Sequence, residues 1–208
     1  RMKLDDFKTF LDQIFKFFPT NNQAKRIKKI ITTAYKDKFT LAGATRSLIH
    51  QLFGDKGLII IDPDSHDLKK MFSSYMEDEL INNTCQEFVN KTVKNIKEAY
   101  SEKYIPQVNP REINLFHLNV NSRQRIIKKG LKYILSDKNV SQQEMLNELN
   151  KKPENFSPNV LMRPLYQEVI LPNLCYIGGP SEMSYWLQLK SFFDYHGVVF
   201  PIINPRAS

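Results

Sequence analysis

Glycine and cysteine are both scarce in this sequence, and each scarcity argues against a class of protein. Only 7 of the 208 residues are glycine, which argues against a loop-rich or all-β fold. The two cysteines, Cys85 and Cys175, lie far apart in the chain, as is typical of free thiols in a reducing compartment. We therefore expect a cytoplasmic protein that is not held together by disulfides.

Signatures of several common function classes are also missing. No apolar run reaches the roughly 18 residues of a membrane span, and no basic start leads into the apolar core of a signal peptide. The four histidines are scattered, and their spacing does not match a metal site. The sequence also has no P-loop and no serine or cysteine nucleophile motif. No metal is predicted.

The formal net charge of +8 indicates an anionic partner of some kind. The chain has 30 lysines and arginines against 22 acidic residues, an excess that suits nucleic acid or a small anion. The basic residues are spread along the chain, and the densest cluster, at 25–29, fits the wet face of a helix. The pattern therefore favours a solvated basic face or a small anionic ligand, with nucleic acid as the alternative.

Hydrophobic periodicity predicts helices first and a mixture of strands and helices afterwards. Apolar residues recur at helical spacing through the first fifty residues, so 1–54 is predicted as a helical segment. Short β-type runs follow at Leu58–Ile61, Leu174–Ile177 and 197–203. Because these strands alternate with helices, 55–208 is predicted as an α/β portion with a partial, doubly wound sheet.

Local signals predict further boundaries in this second portion. Ser141 to Glu144 reads as a capping box, which predicts a helix that begins there. A longer helical stretch is expected from about His66 to Tyr100, continuous or restarted after Asn82-Asn83. Lys132–Leu135 is a candidate short strand.

The stretch around Gly178-Gly179-Pro180 has the pattern of a ligand-binding turn between a strand and a helix. Paired glycines let a bound group approach the backbone, and the free N–H groups at a helix start favour an anion. The same residues would also form a tight turn, with Pro180 in the first helical turn. Both interpretations remain open.

Polar side chains close to this turn are candidates for chemistry. Glu182 would act as an acid or base, hold a cationic amine or satisfy the helix N-terminus. Tyr185 would stack on a ligand or belong to the core. Arg163, Tyr166 and Gln167 form a polar helix edge, because Arg163 and Gln167 are four residues apart on one face. A plain surface edge is the alternative.

Two more clusters of polar side chains are candidates for binding. Asp62 and Asp64 follow the first β-type run, where carboxylates would hold a ribose, an amine or magnesium, or would cap the next helix. Arg111 and Asn114 are three residues apart, and arginine offers a fixed fork for carboxylate or phosphate. An ion pair of Arg111 with Glu112 is the alternative.

Four segments, in a fixed order along the chain, resemble a known family. They read GDKGLIIIDPD (54–64), QVNPREINLF (107–116), RPLYQEVILPNLCYIGGPSEMSYWLQLK (163–190) and GVVFPIINPR (197–206). With these motifs the chain resembles the BshC family, the proposed cysteine ligases of bacillithiol biosynthesis. The resemblance covers essentially the whole chain.

The resemblance implies a Rossmann-like core and a cytoplasmic bacterial ligase that joins cysteine to glucosaminyl-malate through a C–N bond. It also implies an adenine nucleotide, ATP or ADP, as cofactor, in contact with Asn204, Pro205 and Arg206. Under this hypothesis Glu182 and Arg163 are the catalytic candidates. The substrate-binding candidates are Arg111, Asn114, Tyr166, Gln167, Gly178, Gly179, Tyr185 and Asp62.

The resemblance further implies that this chain is a middle fragment of a longer protein. Family members also have an earlier first strand with Gly-His/Gln and acidic-His motifs, and a long C-terminal coiled coil. We therefore expect an incomplete catalytic site and sheet edges that need a partner or a homodimer. The alternative function is a non-catalytic basic domain that binds an anionic partner such as RNA.

Overall fold

The computed structural model of the chain describes residues 4–36, 40–119, 122–135 and 138–207. It divides into two compact units, residues 1–63 and residues 64–208. Helices and strands are both present, which confirms the predicted α/β class.

The first unit is helical where the structure describes it. Its helices are α1 (Leu4–Phe15), α2 (Asn22–Lys36) and α3 (Leu41–Phe53), followed by a 3-10 turn at Gly54–Lys56. The amphipathic pattern buries alanines where the helices pack, namely Ala24 and Ala34 on α2 and Ala44 on α3. Thr40 begins α3, because its Oγ1 accepts a hydrogen bond from the N–H of Gly43 at 3.1 Å.

The strand predicted at Leu58–Ile61 is wrong for the described chain. This segment is not assigned to a strand, and none of the described strands pairs with it. Leu58 and Ile59 are 47% and 72% exposed. A β-type run forms a strand only where a neighbouring strand satisfies its N–H and C=O groups, and local sequence does not supply that neighbour.

The second unit contains seven described helices. They are α4 (His66–Met71), α5 (Ser73–Asn82), α6 (Thr84–Ala99), α7 (Gln142–Lys151), α8 (Arg163–Ile170), α9 (Pro180–Leu187) and α10 (Lys190–Tyr195). The stretch predicted as helical from His66 to Tyr100 therefore breaks at Phe72 and again at Asn83. Asn83 has a φ of 56°, a left-handed conformation that asparagine tolerates better than most residues.

The described part of this unit also contains eight short strands and a 3-10 turn at Pro153–Asn155. The strands are β1 (Leu115–Asn119), β2 (Ser122–Arg125), β3 (Ile127–Lys129), β4 (Lys132–Leu135), β5 (Lys138–Ser141), β6 (Phe156–Pro158), β7 (Cys175–Gly178) and β8 (Ile202–Pro205). Two antiparallel sheets have the orders β2-β1-β6 and β3-β4-β5, and β7 pairs with β8 in parallel. The strands predicted at 132–135 and 174–177 are confirmed. The last predicted strand, at 197–203, begins only at Ile202.

One aromatic core holds the unit together. Trp186 on α9 is buried and stacks on Tyr176 of β7, with 4.2 Å between ring centroids. Phe193 on α10 packs against Trp186 at 6.0 Å. Burial of each such side chain contributes about 2–3 kcal/mol to folding. The core thereby fixes β7 against α9, and these two elements form one side of the candidate site.

Helix α7 begins with the capping box that the sequence predicts. The backbone N–H of Glu144 donates to Ser141 Oγ at 3.3 Å, and the N–H of Ser141 donates to Glu144 Oε2 at 2.8 Å. Both bonds satisfy backbone donors that a helix start otherwise leaves unpaired.

We predict that Ser141→Ala lowers the free energy of unfolding by about 1 kcal/mol, because it removes the cap of α7. Urea unfolding of the chain measures the change. Gln143→Ala is the control, since Gln143 is exposed on the same helix and its side chain donates to Asn147 rather than to the helix start. Equal losses in the two variants would contradict the assigned role of the cap.

Candidate functional site

The candidate site is a pocket of about 500 Å³ in the second unit. Its walls carry three arginines from three different places in the fold: Arg111 in the loop before β1, Arg123 on β2 and Arg163 at the start of α8. None of the described residues that line it is acidic. The other lining residues are Val108, Asn109, Phe116, Asn159, Val160, Pro164, Gln167, Tyr176, Tyr185 and Trp186.

The arginines make this region strongly positive. The guanidinium of Arg123 lies over the ring of Phe116, with its Cζ 3.9 Å from the ring centroid, and this cation–π contact holds the guanidinium in place. Burial and the nearby charge of Arg163 lower the pKa of Arg123, whereas Asp64 raises it. Positive charges that repel one another in this way are stabilised by an anion that binds between them.

A buried lysine lies beside the same arginines. Lys69 on α4 is 1% exposed, and its Nζ donates to the carbonyl of Phe156 at 2.6 Å and pairs with Asp64 at 3.2 Å. Burial lowers the pKa of Lys69, Asp64 raises it, and Arg163 and Arg123 lower it further. Asp64 is thus an ion-pair partner of Lys69.

Lys69 was not among the sequence candidates, although a signal was present. It lies three and seven residues before Phe72 and Met76, which are both fully buried. A lysine at that spacing faces the same side of a helical stretch as its apolar neighbours.

Behind the pocket, the buried carboxylate of Glu79 holds Asn114. Its Oε1 accepts both the backbone N–H of Asn114 at 2.7 Å and the side-chain Nδ2 of Asn114 at 2.9 Å. Its Oε2 accepts the N–H of Cys85 at 2.8 Å. One carboxylate therefore ties the start of α6 to the loop before β1.

The side chain of Asn114 in turn clamps Arg111. Asn114 Oδ1 accepts the backbone N–H of Arg111 at 3.1 Å, and Asn114 Nδ2 donates to the carbonyl of Arg111 at 2.7 Å. Both backbone polar groups of Arg111 are thus held by one amide. This fixes where the guanidinium stem leaves the backbone.

Asn159 extends the same network to α8. Its Nδ2 donates to Asn114 Oδ1 at 2.8 Å, and its Oδ1 accepts the N–H groups of Leu161 and Met162 at 2.9 and 3.2 Å. The carbonyl of Asn159 accepts the N–H of Arg163 at 2.9 Å. The turn that delivers Arg163 to the pocket is therefore connected to Asn114.

A second amide clamps the other end of the pocket loop. Gln188 is fully buried, its Oε1 accepts the N–H of Val108 at 3.2 Å, and its Nε2 donates to the carbonyl of Val108 at 3.1 Å. The loop from Val108 to Arg111 is thus anchored at both ends. The sequence offers no local signal for this contact, because the two residues are distant in the chain.

The glycine pair forms the turn between β7 and α9, and the side chain of Glu182 caps the start of this helix. The N–H of Gly179 donates to Glu182 Oε2 at 2.8 Å, and the other carboxylate oxygen is 3.4 Å from the hydroxyl of Tyr176. A Cβ on Gly178 would meet the ring of Tyr176 at 2.9 Å, which explains glycine there. Glu182 therefore satisfies the start of α9, one of the alternatives drawn from the sequence.

The terminal motif lies beside this turn. Because β8 pairs with β7, Pro205 is opposite Gly178, and the N–H of Arg206 donates to the carbonyl of Gly178 at 2.9 Å. The Arg206 guanidinium is 3.5 Å from where a Cβ on Gly179 would stand. The structure thus brings the glycine pair and the Asn204–Arg206 motif together.

Comparison with known proteins supplies the family. A sequence model described as "Bacillithiol biosynthesis BshC, N-terminal Rossmann-like domain" matches residues 1–207. The chain belongs to the BshC family. The resemblance seen in its four motifs is thereby confirmed.

Individual BshC relatives cover this chain almost completely. It is 45% identical to the proposed cysteine ligase BshC of Flavobacterium johnsoniae over 210 residues, 100% of this chain and 39% of the relative. The BshC protein of Christiangramia forsetii is 42% identical across 95% of this chain, and that of Bacillus cereus is 29% identical across 99%. The chain spans 35% to 39% of the length of these and the other most similar relatives.

Four of the predicted site residues line the pocket of this BshC chain: Arg111, Arg163, Gln167 and Tyr185. Asn114 and Tyr166 are instead buried behind it, Asn114 in the network and Tyr166 against Phe72 at 4.9 Å. Their direct contact with substrate stays a prediction, as do the roles of the turn residues. Asp62 belongs to the first unit, and its role is also untested. Arg123 and Asn159 were missed.

Two features are absent from the part of this BshC chain that the structure describes. Within those ranges, no group of three or more His, Cys, Asp or Glu side chains is arranged to hold a metal ion. Nor does any helix of the described part combine the length and apolar character needed to span a bilayer.

We predict that Glu79 makes stability depend on pH. Burial raises its pKa to about 7, although bonds from Cys85 and Asn114 lower it, and Asp78 adds to the rise. Between about pH 4.5 and 7, Glu79 therefore keeps its proton in the native state, whereas Glu79 of the unfolded chain has lost it. The stabilising contribution is complete below this window and is lost as the pH rises through it.

The comparison variant is Glu79→Gln, which cannot titrate. The free energy of unfolding of the natural chain, minus that of the variant, should fall by on the order of a few kcal/mol between pH 4.5 and 7.5. Urea unfolding at both pH values measures it. A difference that stays constant across this range would show that the Glu79 pKa is not raised.

Proposed function

We propose that the pocket binds the malyl carboxylates of glucosaminyl-malate in the full-length protein, a cytoplasmic ligase that joins cysteine to this amino sugar through a C–N bond. The observation that carries the proposal is the convergence of Arg111, Arg123 and Arg163 on one pocket whose described lining has no acidic residue. The names of the BshC relatives support the ligase assignment.

The shape and donors of the pocket suit a small polyanion. A malyl group carries two carboxylates, and an arginine fork binds a carboxylate through two parallel hydrogen bonds. Arg163 also stands in the first turn of α8, where the helix dipole favours an anion. Trp186 contributes an aromatic side chain to the same wall of the pocket.

Glu182 is the proposed acid or base for the amine. Its Oε2 is used by the N–H of Gly179, and its Oε1 points toward the hydroxyl of Tyr176, which lines the pocket. An amine or a proton in the pocket would therefore reach Glu182 on the Oε1 side. The cap would hold the carboxylate in a fixed orientation.

An adenine nucleotide is proposed at the neighbouring turn, with Asn204, Pro205 and Arg206 as its contacts. Arg206 is exposed and lies beside Gly179, where the absence of a side chain lets a phosphate approach the backbone. Glu182 Oε2 is 3.6 Å from the same point and opposes an anion there. The nucleotide would supply the energy for activating a carboxylate, and Arg206 would bind a phosphate.

We predict that Arg111→Met and Arg163→Met each raise the KM for glucosaminyl-malate in the full-length enzyme by roughly 10- to 100-fold, because each loses a charge-assisted hydrogen bond. Bacillithiol content of cells that carry each variant gives an independent readout. Arg125→Met is the matched control, since Arg125 is exposed on β2 and is not among the lining residues.

Normal bacillithiol levels and an unchanged KM in both pocket variants would refute the proposed substrate site. An equal loss in Arg125→Met would mean that net charge, rather than the pocket, controls the effect.

A separate variant tests the nucleotide contact. Arg206→Met should weaken binding of ADP to the full-length protein by roughly tenfold, as measured by calorimetry, and should leave the affinity for glucosaminyl-malate unchanged. Unchanged ADP affinity would exclude Arg206 as the phosphate ligand.

A further inference from the structure

We infer that Glu79 is a positioning residue for the anion pocket, which acts by holding Arg111 and Arg163 in place through Asn114 and Asn159. The inference rests on the proposed function, because it concerns how the same pocket captures its ligand. Glu79 is itself buried and is not among the residues that line the pocket.

Hydrogen bonds through Asn114 link Glu79 to the backbone of Arg111. Glu79 Oε1 accepts two bonds from Asn114, and Asn114 holds both the N–H and the carbonyl of Arg111. Asn114 cannot rotate its amide without losing the bond to Glu79 and both bonds to Arg111. The backbone of Arg111 is therefore as well defined as the buried carboxylate behind it.

Hydrogen bonds through Asn159 link Asn114 to the start of α8. The amide of Asn159 donates to Asn114 Oδ1, and Asn159 also accepts the N–H groups of Leu161, Met162 and Arg163. A shift of Asn114 would thus be transmitted to the turn before α8. Two arginines from separate elements depend on one buried side chain.

The donors around Glu79 explain why a carboxylate, rather than an amide, stands at this position. Three N–H groups converge on Glu79, two on Oε1 and one on Oε2. A carboxylate accepts on both oxygens, whereas the amide of glutamine has one accepting oxygen and would turn its NH2 group toward a donor. Glutamine at this position would leave a buried donor unsatisfied and loosen Asn114.

The test is a double-mutant cycle in the full-length protein at about pH 8, above the Glu79 pKa of about 7. Calorimetry measures the dissociation constant for glucosaminyl-malate. Glu79→Gln alone should raise the dissociation constant by roughly tenfold. In an Arg111→Met background the same change should raise it by no more than about threefold, because one of the two arginines through which Glu79 acts is gone. A residue with only a structural role would have equal effects in both backgrounds.

Two further variants guard against simple loss of folding. Asn114→Ala keeps the bonds of Glu79 to the backbone N–H groups but cuts the link to Arg111, so it should weaken binding by a similar factor. Glu148→Gln is the matched control, because Glu148 bonds to His117 and Asn155 and lies outside the pocket lining. It should lower the Tm and change the dissociation constant by less than about twofold.

The binding measurements distinguish failure of the positioning role of Glu79 from failure of the proposed function. If Arg111→Met weakens binding but Glu79→Gln and Asn114→Ala do not, the positioning role is overturned and the proposed function stands. Equal effects of Glu79→Gln in both backgrounds also overturn it. If the natural protein does not bind glucosaminyl-malate at all, the proposed function fails and the inference fails with it.

Discussion

The buried carboxylate of Glu79 is the constraint on which the described second unit depends most. A carboxylate taken out of water is costly unless its oxygens are satisfied. Here three N–H groups offset part of that cost, since burial still raises the pKa of Glu79 to about 7. Those donors come from the start of α6 and from the loop before β1. Satisfying one buried charge therefore joins two elements that are distant in the chain, and the pocket is built on that junction.

The pocket, in contrast, carries an excess of positive charge. The charge of Arg163 lowers the pKa of Arg123, and both arginines lower the pKa of the buried Lys69, whereas Asp64 raises the pKa of Arg123 and of Lys69. Lys69 already uses Asp64 and the carbonyl of Phe156. The arginine side chains are exposed to the pocket, so a bound anion would relieve their mutual repulsion.

Local sequence predicted those parts whose conformation depends on near neighbours. The capping box at Ser141 formed because its two partners are three residues apart. The strands at 132–135 and 174–177 also formed. Leu58–Ile61 has an equally strong β-type pattern and did not form a strand, because a strand requires a partner that the pattern cannot specify. The candidate site divides in the same way, since Arg111 and Arg163 were predicted whereas Arg123 was not.

The sequence by itself determined the mixed helix and strand content, the start of α7 and membership of the BshC family, because local periodicity and short motifs carry that information. Only the tertiary structure decided that Arg123 joins Arg111 and Arg163, that Asn114 and Tyr166 lie behind the pocket rather than on its wall, and that Glu79 and Gln188 hold the pocket loop. These outcomes depend on contacts between residues far apart in the chain. Such contacts depend on how separate elements pack against one another, so no local pattern records them.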